Sequence, residues 1–301
     1  GLGIKLDTNL TLTEDSIKGL FSATNPNYKN SDKSIYISAE ALETDNYKTF
    51  GYKSNKTGIS IGTNFEYLDD FFLGIGNSNF YEKIETNSTA STRQQAQEGN
   101  YWDSFLKLDF NYDKRNQKFQ TTKGYRSIYN LDIPLISNTN TLTNSYDFRK
   151  YTEMYENNRT SFSFSIKSAF SVTGEDVKLS ERLLVPSSKL RGFEYGKVGP
   201  KDGTDFIGGN YVTSFNVQST LPFLFENAQN LDMLLFFDSA NVWGVDYDSS
   251  IDDNNKIRSS IGVGIDWFTP IGPMTFSLSE VLSKSNTDVT ESFRFNIGTS
   301  F

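Results

Sequence analysis

Arg191 stands in the run Leu190-Arg191-Gly192-Phe193, where a guanidinium is followed by a flexible glycine and then by an aromatic ring. The chemistry open to such a group is ion pairing, because its planar fork of donors matches the two oxygens of a carboxylate. The partner has to be an acid positioned by another element. In residues 231–238, Leu231, Met233, Leu235 and Phe237 alternate with Asp232, Leu234, Phe236 and Asp238. Asp238 therefore lies on the face opposite Phe237 and can turn inward when Phe237 meets an apolar medium. An isolated buried charge is expensive, so an inward Arg191 must be paired or hydrated. From the residues alone, Arg191 reads either as a solvated loop residue or as a charge pinned to the strand of Asp238.

Other chemistry is sparse. The chain has neither cysteine nor histidine, which removes disulfides, thiolate sites, Ser-His-Asp activation and the commonest zinc ligand. Asp252, Asp253 and the acidic residues around 246–253 offer oxygen ligands for a hard cation. They lack EF-hand spacing and read as a solvated acidic loop. The net charge of −8 leaves no footprint for nucleic acid. No catalytic constellation is visible, so neither an enzyme, a cofactor nor a resident metal is expected.

The elements that hold these residues are strands. Aromatic residues make up 15% of the 301 residues, with 25 Phe and 16 Tyr, while only 36% are apolar and mean hydropathy is −0.49. A transmembrane barrel reconciles these values, because alternate residues face lipid and a wet lumen. No run approaches 18 apolar residues, so a spanning helix is excluded. Period two is clear in 292–301, where Phe293, Phe295, Ile297, Thr299 and Phe301 share a face and Arg294, Asn296, Gly298 and Ser300 share the other. Similar runs occur at 260–267, 231–238, 211–218 and 161–167, seven or eight residues of clear alternation inside strands expected to reach about 9–12 residues, the length of a tilted bilayer-crossing strand. Further strands are expected near 145–153, 123–133, 100–113, 70–84, 57–67, 33–43, 15–24 and 2–10. The fold class is all-β, a transmembrane antiparallel β-barrel with about fourteen strands in one domain over 1–301. A soluble β-sandwich also alternates, but its strands are usually shorter. Tyr101, Trp102, Trp243, Trp267 and Phe268 lie near strand ends, where interfacial belts are expected.

Several segments carry a family resemblance. Residues 190–200, Leu-Arg-Gly-Phe-Glu-Tyr-Gly-Lys-Val-Gly-Pro, resemble the inward-folded loop of BamA proteins, the outer-membrane assembly factors, and include Gly199 and Pro200. Gly208-Gly209-Asn210 follows at the family's spacing. The segment 236–243, Phe-Phe-Asp-Ser-Ala-Asn-Val-Trp, is similar to the family's aromatic-Asp strand. Trp267-Phe268-Thr269-Pro270-Ile271-Gly272-Pro273-Met274 resembles its Trp-x-Ser-Pro-Leu-Gly-Pro-Leu turn. Asp113, Arg115 and Thr122-Lys123-Gly124-Tyr125 resemble a mid-barrel hairpin, and 293–298 resembles the last strand.

The resemblance implies a sixteen-stranded barrel in which residues 1–4 fall at about the third strand. The first two strands and the periplasmic POTRA domains then lie outside this chain. It implies that 180–208 folds inward, with Arg191, Gly192 and Phe193 as a brace anchored on Asp238. Gln218 stands where the family usually has Glu, so the pairing leans on Asp238. The last strand, through Phe293, Phe295, Ile297, Gly298 and Phe301, would form one side of a lateral seam, and Gly199, Pro200, Pro270, Gly272 and Pro273 would mark turns. The function implied is folding and insertion of other barrel proteins at the bacterial outer membrane. Its partners would be nascent outer-membrane barrel proteins, the lipid bilayer and accessory lipoproteins of the assembly complex. A protein-translocating relative, as in two-partner secretion or TamA-like barrels, and a passive porin are the alternatives.

Overall fold

Alternation of large apolar residues with Ser, Asn and Gly favours extended chain with two unlike faces. In the computed structural model, which describes residues 3–13, 16–222, 230–246, 250–269 and 272–297, such runs form sixteen strands. They are β1 (Lys5–Leu12), β2 (Ser16–Asn25), β3 (Ser34–Asn46), β4 (Tyr52–Leu68), β5 (Phe71–Thr86), β6 (Gly99–Asp113), β7 (Gly124–Pro134) and β8 (Thr141–Thr152). Then follow β9 (Thr160–Ser171), a small hairpin of β10 (Lys201–Asp202) and β11 (Asp205–Phe206), β12 (Tyr211–Thr220), β13 (Leu231–Trp243), β14 (Arg258–Thr269), β15 (Gly272–Ser283) and β16 (Phe293–Ile297). Fourteen of them form one antiparallel sheet in sequence order, with β12 beside β9. No helix among the described residues is long and apolar enough to cross a membrane.

The pairing of β9 with β12 shows how the two faces arise. Phe164 lies opposite Phe215 on the outer face, and both are exposed. One position away, Ser165 and Ser214 are buried opposite each other with their hydroxyls 2.7 Å apart. Outside, cross-strand aromatic pairs meet the apolar medium; inside, hydroxyls pair with one another.

The sheet curls round on itself. The segment 172–210, between β9 and β12, touches β5 and β6 through Lys178 and β13 through Arg191. At the opposite end, Phe119 in the β6–β7 connection meets Phe268 of β14 edge-on at 5.5 Å. A flat sheet could not bring such distant strands onto one segment, so the architecture is a barrel. Among the described residues β1 and β16 stand at the two ends of the ladder. Connections at one end are as short as 69–70; the other end carries 87–98, 172–210, 244–257 and 284–292. That asymmetry is typical of outer-membrane barrels, whose periplasmic turns are short and external loops long.

Some sequence expectations change. Strands β3 to β6 have 13, 17, 16 and 15 residues, longer than the roughly 9–11 that cross a bilayer. The extra length rises toward the long-loop end, where it receives 172–210. β15 matches none of the runs expected from the sequence. Thr269 pairs directly with Gly272 and Phe268 with Pro273, so Gly272 and Pro273 belong to β15 and not to the turn. Pro273 lacks an N–H and is tolerated there because it stands at the strand's beginning. Pro270 lies outside the described residues, as do Gly298 and Phe301. Tyr101 is no belt residue: it shares the inner face with Asp103, and its hydroxyl donates to Gln97 O at 2.6 Å. Phe268 likewise faces inward onto Phe119, whereas Trp102 and Trp267 are exposed.

Phe215 sits mid-strand on the outer face. Phe215→Arg should lower barrel stability by about 2–4 kcal/mol in lipid vesicles, the cost of a cation near the bilayer midplane. Urea unfolding followed by tryptophan fluorescence measures it; an unchanged midpoint would contradict the assignment of that face to lipid.

Candidate functional site

Asp238 is fully buried on the inner face of β13. Arg191 approaches it side-on: Nε donates to Oδ2 at 2.7 Å and Nη2 to Oδ1 at 2.8 Å. The backbone N–H of Arg191 adds a third bond to Oδ2 at 3.0 Å, and Asn216 Nδ2 a fourth to Oδ1 at 2.9 Å. Four donors match the acceptor capacity of an ionised carboxylate. Arg191 Nη1 reaches Gln218 Oε1 at 3.2 Å, so the neutral amide takes the fork's remaining edge. The guanidinium carbon lies 3.5 Å from the centroid of the Phe236 ring, a cation–π contact strengthened by exclusion of water.

Strand parity places these side chains together. Phe236 and Asp238 are two apart on β13, Asn216 and Gln218 two apart on β12, and Asn216 lies directly opposite Asp238. Phe236 is free to lie flat because its neighbour on β14 is Gly262. A Cβ there would fall 2.4 Å from Phe236 Cζ and 2.2 Å from Leu278 O.

Gly192 turns the chain away from the wall with φ +91, and a side chain there would press on Ser260 and Ser279. Ser260 Oγ donates to Arg191 O at 2.5 Å. Phe193 is buried with Val185, Leu190, Val198, Val212, Ala240 and Val242, not against the guanidinium. Gly199, at φ +97, would drive a Cβ to 2.4 Å from Val242 Cγ1, and Pro200 O accepts from Ile207 N at 3.1 Å beside the β10–β11 hairpin.

The inward segment also bonds to the last hairpin. Glu194 N donates to Val289 O at 3.0 Å, Val289 N to Lys197 O at 3.0 Å, and Glu291 N to Gly192 O at 3.1 Å. Arg294, on the inner face of β16, donates to the carbonyls of Ser187 and Phe193 and pairs with Glu291. On the outer face, Phe293 and Phe295 are exposed, and Phe295 stacks on Phe276 at 4.8 Å. Of the residues expected in a terminal strand, Ile297 closes β16, opposite Met274.

Sequence reasoning missed three parts of this arrangement: Asn216 with Phe236, Arg294, and a buried cluster around Lys178. Parity could have found Asn216 and Phe236. Lys178 Nζ lies 2.8 Å from Glu82, 3.5 Å from Glu181 and in contact with Asp103, and tops of β5 and β6 supply two of these acids. Burial alone would lower the Lys178 ammonium, but Glu181, Glu82 and Asp103 together hold it above the ordinary lysine range. Burial pushes the Glu181 carboxyl up, against the pull of Lys178. A second buried pair, Arg258 with Asp288 at 2.9 and 3.0 Å, ties β14 to the segment after β15. Among the described residues no group of acids could hold a metal ion, and the acidic loop instead caps itself, with Asn254 N bonded to Asp252 at 2.9 Å.

These features define an outer-membrane β-barrel with a pinned internal loop. The Omp85 superfamily domain matches residues 1–301, and the chain belongs to that superfamily. It is 25% identical over 135 residues to the outer membrane protein assembly factor BamA of Neorickettsia risticii (strain Illinois), covering 44% of this chain and 18% of that protein. The chain thus matches less than a fifth of that relative's length. BamA from Haemophilus ducreyi lacking POTRA domains 1–3 has the same fold, with a TM-score of 0.86 at 21% identity over 98% of this chain and 64% of the other. CdiB from Acinetobacter baumannii is more distant, with a TM-score of 0.58 at 10% identity over 98% of this chain and 53% of that one.

Arg191→Glu sets a second carboxylate against buried Asp238 and should cost about 3–5 kcal/mol, the usual loss on breaking a buried pair. Adding Asp238→Arg should recover part of it, read as heat-modifiable mobility on semi-native gels; an Arg191→Glu barrel as stable as the parent would remove the pairing from the account. Lys178→Met leaves three buried acids without a cation and should loosen the long-loop end. Because protonation relieves an uncompensated buried acid, its destabilisation should be smaller at about pH 5 than at about pH 8. Thermal melts at the two pH values check that sign.

Proposed function

We propose that this barrel is the membrane part of an assembly factor that folds and inserts other β-barrel proteins into the outer membrane. The observation that carries this reading is the internal segment 172–210, pinned to β13 by Arg191 and laddered to the β15–β16 connection. It braces the last strands from inside while their outer edge can meet an incoming strand. A nascent strand would add to that edge by backbone pairing, with its side chains passing alternately into lipid and lumen. No nucleotide site is needed, since folding and lipid burial of the client supply the driving force. In this reading Arg191, Gly192 and Phe193 with Asp238 and Gln218 form the brace, and the partners are unfolded barrel proteins, lipid and accessory lipoproteins. BamA, named as an assembly factor, supports it through sequence similarity.

A protein-translocating barrel is the second reading, favoured only by the fold shared with CdiB; it would need 172–210 to leave the lumen. Proteoliposomes carrying the chain should speed folding of a urea-unfolded barrel several-fold over empty liposomes, with Arg191→Glu slower than the parent. Equal rates in all three would sink the assembly reading. Large steady single-channel conductance would favour a passive pore instead, and small erratic openings a plugged barrel.

A further inference from the structure

On the outer face, the short-turn ends of β5 to β8 carry an unbroken run of aromatic rings. Phe71 meets Tyr112 at 6.4 Å, Tyr112 meets Tyr125 at 5.6 Å, and Tyr125 meets Phe148 at 6.0 Å. They share the strand parity of Ile75 and Phe164, both exposed. Such a belt marks the depth at which lipid chains give way to headgroups. Just past it, the β4–β5 turn and the start of the β6–β7 connection border an open hollow of about 800 Å³, within the range of ligand pockets. Tyr67, Leu68, Phe71 and Tyr112 form its apolar walls, and Asp69 and Lys114 are its charges.

Backbone contacts hold the hollow in shape. Asp70 turns with φ +63, its N–H donates to Glu66 Oε1 at 2.7 Å, and its carbonyl accepts from Asp113 N at 3.0 Å, which ties the hairpin to β6. A register shift between Glu66 and Leu68 sets Leu68 opposite Phe71 and so on the outer face. The two charges differ in their bonding. Lys114 Nζ holds Asp70 at 2.6 Å and lies 5.7 Å from the centroid of the Tyr112 ring, so the ammonium has N–H donors to spare. Asp69 lies near enough to act on Lys114 through space, yet its carboxylate makes no hydrogen bond or ion pair among the described residues. The hairpin tip thus sets three acids, Glu66, Asp69 and Asp70, against Lys114.

We infer that this hollow binds the headgroup of one phosphatidylethanolamine molecule, with its ammonium on Asp69 and its phosphate on Lys114. A primary ammonium brings N–H donors to the open carboxylate, and such charge-assisted bonds are the strong ones. A quaternary choline brings none. Phosphatidylglycerol has no cation for Asp69, so its phosphate would meet the acids of the hairpin tip uncompensated. Tyr67 and Tyr112, each an apolar ring with a polar tip, suit the glycerol region where water gives way to chains. The hollow lies on the outside of the wall, so its occupant comes from the bilayer and not from the lumen. The inference stands apart from the assembly reading, since it needs only a barrel in lipid.

Native mass spectrometry of the protein released from detergent micelles tests this. The micelles are doped with equal amounts of phosphatidylethanolamine, phosphatidylcholine and phosphatidylglycerol. Phosphatidylethanolamine should be retained about fivefold over either rival, the scale of one exposed ion pair. Asp69→Asn keeps a turn-forming residue in place and should bring phosphatidylethanolamine down to the level of phosphatidylcholine. Lys114→Gln should lower retention of both alike, because the phosphate is common to them. Stepwise N-methylation of the ethanolamine should weaken retention as N–H donors are lost. Equal retention of the three lipids by the parent protein, or a preference for phosphatidylglycerol, overturns the inference without relying on any variant. So does an Asp69→Asn protein that runs as folded on semi-native gels and keeps the full preference, since the lipid then sits elsewhere.

Discussion

A guanidinium carried into the interior of a barrel has to be neutralised by the wall it meets, and that constraint organises the space around Arg191. Its charge fits beside Asp238 only in one orientation, with both oxygens of the carboxylate occupied. The ring of Phe236 then needs a glycine, Gly262, behind it, and the chain needs Gly192 at a positive φ to leave the wall without striking Ser279. Removing one member therefore disturbs several others. The contact matters more for position than for net stability, since desolvation of the pair offsets most of its attraction.

Other buried ionic contacts divide the same segment between different walls. Lys178 joins its beginning to β5 and β6, Arg191 joins its middle to β13, and Arg294 of β16 holds the carbonyls on either side of that point. Arg258 and Asp288 add a fully buried pair beside it. Lys178, Arg258 and Arg294 lie toward the long-loop end and Arg191 near mid-barrel, where it reaches Gln218, while the short-turn half is left with a cavity. The barrel is thus filled and rigid toward one end and open toward the other. Traffic from the short-turn side would meet the underside of the pinned segment first.

The outer face is governed by a different rule. In lipid every backbone group must be satisfied within the sheet, and among the described residues the strands between β1 and β16 do this by pairing with both neighbours in simple sequence order. Aromatic pairs such as Phe164 with Phe215 and Phe276 with Phe295 cover the outside of the ladder. The same alternation makes the lumen polar, so that charged side chains there can be hydrated, paired or left for a ligand.

Most of the strands and their inward and outward parities, Asp238 among the inward residues, were legible in the amino-acid order, because period-two patterning acts locally; the pairing of Arg191 with Asp238 was implied only by the family resemblance of residues 190–200. β15 escaped notice, since the Pro270–Gly272–Pro273 segment reads as a turn when its pairing with Phe268 and Thr269 is unknown. Tyr101 and Phe268 looked like belt residues because position along a strand is visible in sequence and facing is not. The cluster of Lys178 with Glu82, Asp103 and Glu181 had no sequence signal. Apart from Lys178 and Glu181, three residues from each other, its members lie tens of residues apart, and only the curling of the sheet brings them together. By itself, then, the sequence determined the strands, their two faces and the acid that Arg191 could meet. Only the tertiary structure decided which charges are neutralised and which are left open, because charge balance in a lumen depends on walls that meet across space.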